Sequence, residues 1–229
     1  MLIPLAIILL YQKPVPETRP VIVYVYVALI INLAATIMFV FHSDMPSFLK
    51  NNNICYNIHS IVRVLFFSWY LHKLHLPKLQ RLIKMATPLY IGFVLINFIF
   101  FESPFFISSL LFSAESIFIL VLCLFYFFHS IQDDSETEWT GHPSFTISAG
   151  IGFFEAITFF IFLFYNPLYV ENRKFGKLTF TIHNFTYVIF CIMLAIALYK
   201  YLRRFRDAGL KKLFPLSPAN QHGKMTSGQ

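Results

Sequence analysis

Charge is scarce in this sequence. Only 13% of its 229 residues are Asp, Glu, Lys or Arg, against roughly 25% in an ordinary soluble domain. That scarcity excludes a freely soluble globular protein. Cysteine is scarce too. Cys55, Cys123 and Cys191 lie in apolar stretches, are odd in number and show no metal-ligand spacing. Neither a disulfide framework nor a zinc site is indicated, and three buried small hydrophobes are expected. No HExxH or HxxxH pair occurs, and no Pro-Gln dipeptide. Nothing resembling a kinase, nucleotide-binding or DNA-binding region stands between the apolar stretches.

What is abundant is apolar surface. The composition is 57% hydrophobic, with 29 phenylalanines, and the mean hydropathy is +0.65. Runs of about 20 apolar residues match a hydrocarbon layer about 30 Å thick. The chain is thus expected to be an all-α integral membrane protein, a polytopic helical bundle.

One short and six full spans are predicted, over about 2–11, 21–42, 54–71, 86–101, 105–128, 144–165 and 180–200. KPVPETRP, HSDMPSFLKNNN, HKLHLPKLQRLIK, ESP, HSIQDDSETEWTGHP and NPLYVENRKFGK mark the gaps. The bundle takes up residues 1–202, and 203–229 read as a basic juxtamembrane segment with a disordered tail. The opening MLIPLAIILLY has no basic n-region and no small-residue cleavage site, so a cleaved signal peptide is not expected. A short first span, a re-entrant piece and the remainder of a longer helix all stay open. The spans 86–101 and 105–128 are so close that they should form an antiparallel hairpin.

The net charge of +7 is explained by topology rather than by nucleic acid. Thirteen Lys and Arg fall on one side, in the 12–20 loop, the 72–85 loop and the tail. Four fall on the other: Lys50, Arg173, Lys174 and Lys177. The richer side is cytoplasmic, which puts the C-terminus inside and, with seven spans, the N-terminus outside. The acidic loop residues Asp133, Asp134, Glu136 and Glu138 fall on the cytoplasmic side, and acidic residues count little in this rule. Arg203, Arg204, Arg206, Lys211 and Lys212 interleave with Leu and Phe, suiting a helix on anionic headgroups. A plain stop-transfer flank explains the same residues.

Three charges remain inside the spans. Arg63 is midway along 54–71, Glu115 lies in 105–128 and Glu155 in 144–165. An unpaired charge at that depth costs several kcal/mol. Arg63 is therefore expected to face inward and pair with one or both glutamates through its planar fork. Cys55, His59 and Arg63 recur every four residues and share one helix side. Ser148, Gly152, Glu155 and Thr158 form a second stripe, and Ser108 and Glu115 share a side. Asn32, Asn97 and His183, with Asn184, add further polar positions. Two readings follow. The three charges are either a buried ion pair that fixes helix pairing or a ligand or proton site, comprising Arg63, Glu115, Glu155, His59, His183, Asn32 and Asn97. Two acids for one base leave a spare carboxyl, a candidate proton or cation site. The remaining histidines fall at span ends or in loops and read as interfacial.

Seven spans invite comparison with known layouts. A retinal protein needs a lysine in the middle of its last span, and 180–199 has none. NPLY at 166–169 resembles the receptor NPxxY signature but falls in a loop. Small three-plus-three transporters share the length but carry Pro-Gln signatures. The layout and the Phe, Ile, Lys and Asn bias are similar to small bacterial membrane proteins and to seven-helix sensor halves fused to histidine kinases. That similarity of layout implies a sensory or signalling module in a bacterial-type inner membrane. It would act through a partner protein by way of the 72–85 loop, the 129–143 loop and the basic tail. A homo-oligomer is compatible with it. A small proton-coupled transporter is the alternative, since 144–165 holds Gly150 and Gly152 where a helix could break. A haem or metal enzyme using His59 and His183 ranks last. No catalytic residue, metal ligand or cofactor is assigned.

Overall fold

The computed structural model of the protein describes residues 1–10, 16–43, 46, 52–74, 76–132, 142–165 and 173–213. The side chains of Arg173, Phe175 and residues 204–213 lie outside that description. Every described element is helical: α1 Leu2–Leu10, α2 Arg19–Val40, α3 Asn53–His72, α4 Pro77–Ile96 with a π-helical end Asn97–Phe101, α5 Ser109–Gln132, α6 Pro143–Leu163 and α7 Arg173–Leu213. Among the described residues five helices are long and apolar enough to cross a membrane: α2, α4 with its π end, α5, α6 and the Gly176–Arg203 part of α7. The protein is a multi-pass helical membrane bundle.

Two of the seven predicted spans depart from that set. α1 has nine residues, about 13 Å at 1.5 Å per residue, too short to cross. The amino group of Met1 lies 3.7 Å from Cys191 Sγ, half way along the membrane part of α7, so the first residue sits at mid-depth. α3 has 20 residues and is long enough, but it is not among the five helices with a stretch apolar enough to cross. Its polar side chains Asn57, His59, Ser60, Arg63 and Ser68 are all buried. Its polar face is enclosed by protein, while Ile58, Leu65 and Trp69 leave one side of it exposed.

Several boundaries move for identifiable reasons. α4 begins at Pro77, nine residues before the predicted 86. Proline is tolerated in the first helical turn, where its missing N–H would have no partner. The stretch KLQRLIK, read as loop, is amphipathic helix: Leu79 and Ile83 are buried while Lys78, Arg81 and Lys84 are exposed. α5 starts at Ser109 rather than 105, because α3 pins the preceding turn. Asn57 Nδ2 donates to the carbonyls of Pro104 and Phe106, both at 2.8 Å. Asn57 Oδ1 accepts from the Ser108 amide at 3.3 Å. α7 continues as one helix well past 200, to Leu213. Lys13, Lys50, the acidic 133–138 stretch, the NPLY motif and residues 214–229 lie outside the described residues.

α3 is the hub. It meets α2 through His59 and Tyr24, whose Nε2 and hydroxyl are 3.2 Å apart. It meets α4 through Gln80 Nε2, which donates to the His72 carbonyl at 2.9 Å. Arg63 connects it to α5 and α6, and Phe67 packs on Phe190 of α7 with ring centres 5.9 Å apart. Val64, Phe67, Tyr70 and Leu71 of α3 join Leu111 and Ile119 of α5, Ile147, Ile151 and Phe154 of α6 and Phe190 of α7 in a single core. Outside it, Leu89, Ile99, Phe100 and Phe39 are largely exposed, as side chains facing hydrocarbon should be.

Candidate functional site: a buried ionic triad

Arg63, Glu115 and Glu155 come together at the centre of the bundle. Helical periodicity puts Arg63 on the face of α3 turned away from lipid, and it is 2% exposed. Both glutamates are fully buried. Arg63 Nε donates to Glu115 Oε1 and lies 3.3 Å from Glu155 Oε1. The guanidinium carbon sits 4.8 Å from the centre of the Phe154 ring, an arrangement that favours the cation.

Each carboxylate has its own serine. Ser60 Oγ, one turn before Arg63, donates to Glu115 Oε2 at 2.5 Å. Ser116 Oγ donates to Glu155 Oε2 at 2.9 Å. Glu155 Oε1 accepts no hydrogen bond and has only the arginine's charge beside it. The two acids are thus unequal. Glu115 is saturated, while Glu155 is half-served. One cation faces two carboxyls, so the triad is one charge from neutral, and a proton held by the pair closes the difference. Strongly interacting carboxyls titrate as a unit.

The other candidate residues divide by place. His59 lies on the Arg63 face one turn away but turns to α2. Its ring stacks on Tyr24, with centres 5.9 Å apart and planes 9° apart, and meets the edge of Tyr187 at 6.1 Å. His183 is half-buried, with Nδ1 3.4 Å from Thr158 Oγ1, one turn along α6 from Glu155. Asn32 is half-buried and donates to the Ala28 carbonyl at 2.7 Å. Asn97 is fully buried in a separate cluster at the α4–α5 turn. Its Nδ2 donates to Ser108 Oγ at 3.0 Å and to Glu102 Oε2 at 3.4 Å. Ser108 belongs to that turn, where it also donates to Glu102, not to the face of Glu115. Sequence reasoning missed Ser60 and Ser116. Ser60 was findable, since it stands three residues before Arg63 on one face. Ser116, adjacent to Glu115 in sequence, carried no periodic signal.

All three cysteines are buried and free. Among the described residues no group of three His, Cys, Asp or Glu is placed to hold a metal ion. Arg203 is described and exposed, while Arg204, Arg206, Lys211 and Lys212 lie on the helix beyond the described side chains. Compared with known proteins, the chain matches no family model, no curated protein and no solved structure.

Proposed function

We propose that the protein is a sensory module of a bacterial-type inner membrane whose responsive element is the Arg63–Glu115–Glu155 triad. One observation carries the reading: a single guanidinium nitrogen faces one oxygen of each carboxyl, and only one of those oxygens is hydrogen-bonded. Protonation of either acid, or a small ligand competing for Arg63, changes which carboxyl the arginine holds. α3 bears the arginine and touches every other long helix, so that change is felt across the bundle. No described element forms a domain outside the bundle, so output passes to a partner protein. The face bearing Lys78, Arg81 and Lys84 suits that contact. The α7 extension, with Arg203, Arg204, Arg206, Lys211 and Lys212, suits anionic headgroups. A carrier built on the same triad has less support, because Gly150 and Gly152 sit in an unbroken helix.

Trp69 lies on α3 six residues beyond Arg63 and is partly exposed, which makes it a reporter. With Trp139→Phe as background, its emission in purified protein is expected to shift with pH and to stop shifting in Glu155→Gln. The groups that face the triad or its surroundings and could titrate in its place include Tyr24, His59, Tyr90, Cys123, His183 and Tyr187. His59→Gln and His183→Gln are therefore run beside it. A shift that survives both glutamate changes and disappears with a histidine would overturn the assignment. So would a folded wild type with no shift at all.

A further inference from the structure

At the end of the bundle where α2 finishes and α3 and α7 begin lies a groove of about 480 Å³. Asn32, Thr36, Asn52, Asn53, Tyr56 and Phe180 line it. The five polar ones offer amides and hydroxyls without a charge, and Ala35, Phe39 and Ile107 complete the lining with Phe180. The polar positions can hold water and hold ions poorly. Two routes lead inward from it. In the first, Tyr56 of the groove stands one turn of α3 before His59, whose ring meets the edge of Tyr187 at 6.1 Å. The Tyr24 hydroxyl is 3.2 Å from His59 Nε2, one helical turn from Arg63. In the second, Phe180 packs on His183 with ring centres 6.1 Å apart. His183 meets Thr158, one turn from Glu155.

The opposite side of the triad is different. Phe67, Leu122, Ile147, Ile151, Leu194 and Leu198 are all within 2% of complete burial. They separate the triad from the Ser144–Tyr201 hydrogen bond at the other end, 2.6 Å long. Ser68 and Ser148 sit in that layer as single hydroxyls without partners. Buried polar groups usually find a partner or an ordered water. On the groove side the pairs Tyr24–His59 and His183–Thr158 each end one helical turn from the triad, whereas on the far side the linked series Ser144–Tyr201–Glu17 stops at the apolar layer.

We infer that the groove is the water-filled vestibule through which the triad exchanges protons, so that protons reach it from one face of the membrane only. That face is the side predicted from the charge distribution to be external. The inference rests on the reading of the triad as proton-responsive and adds the route.

The test is thiol accessibility in liposomes, with Cys55, Cys123 and Cys191 replaced by Ala. Single cysteines are placed by Asn32→Cys and Tyr187→Cys on the groove route, with Thr36→Cys at its mouth as the mildest change. Ser148→Cys and Ser68→Cys lie on the far side, and Ile196→Cys faces lipid. A charged, membrane-impermeant methanethiosulfonate is added from each face in turn. Only the hydrated thiolate reacts, so groove positions should be modified from one face at least roughly tenfold faster than Ser148→Cys from either. The inference falls if Ser148→Cys reacts from the far face as fast as Asn32→Cys. It also falls if the groove thiols react no faster than Ile196→Cys. Labelling and pH response fail separately. One-sided labelling with an intact response in Glu155→Gln removes the functional reading and leaves the vestibule. Loss of response in Glu155→Gln with labelling from the far face removes the vestibule alone.

Discussion

α3 and α4 have 20 α-helical residues each and opposite characters. α4, with its π end, is apolar enough to cross a membrane unaided, yet it lies at the edge with Leu89, Ile99, Phe100 and Phe101 mostly exposed. α3 falls short of that apolarity and occupies the centre, with Asn57, His59, Ser60 and Arg63 buried. In water the most apolar helix would be the most buried. In a bilayer the solvent is itself apolar, and what needs enclosing is the polar side chain. The central helix is therefore the one that lipid would tolerate least.

Arg63→Ala is the sharpest way to break that contrast. It leaves two fully buried carboxylates without their cation, and removing one partner of a buried pair costs about 3–5 kcal/mol. The expected outcome is a large fall in thermal midpoint in detergent, or loss of folded protein. The combination Arg63→Met, Glu115→Gln and Glu155→Gln removes all three charges and should recover most of that stability. If it folds well but its Trp69 emission ignores pH, the charges serve response more than architecture. Next in size is Asn57→Ala. It removes the two hydrogen bonds that Asn57 Nδ2 donates to the α4–α5 turn and the one its Oδ1 accepts, leaving Asn53 Nδ2 on the Phe105 carbonyl, for about 1–3 kcal/mol in total. Hydrogen exchange should rise at residues 104–108 while the amides of α6 keep their protection.

The inward polar stripe of α3 was legible because a four-residue recurrence ending in arginine has one cheap solution in lipid. The approach of two glutamates to one arginine was legible for the same reason, since isolated charges had nowhere else to go. What was not legible depended on distances along different helices. Asn97 reads as another polar residue in a span, but the π turn that ends α4 and the Glu102 beyond it draw it into the hairpin cluster. Ser108 shares a helical side with Glu115 and still bonds Glu102, because it precedes the first residue of α5 and serves as its cap. The start of α4 was missed because seven residues with three cations look like a loop. Two buried apolar positions on one side suffice to make them helix.

The smallest effects compare close packing with open space. Gly150 on α6 faces α7, where an added Cβ would stand 3.1 Å from Met193 Cβ. Gly150→Ala must push the two helices apart by a few tenths of an ångström, at about 1–2 kcal/mol. Gly92 on α4 has nothing within 4 Å of the same added atom. Gly92→Ala is therefore expected to change stability by no more than about 0.5 kcal/mol, as at an uncrowded surface site. Thermal midpoints of the two variants in one detergent decide the point. A drop for Gly150→Ala alone matches a tight α6–α7 contact with α4 at the lipid edge. An equal drop for Gly92→Ala would mean that another surface covers α4 in the folded protein. The contrast between central α3 and peripheral α4 would then hold only for the isolated chain.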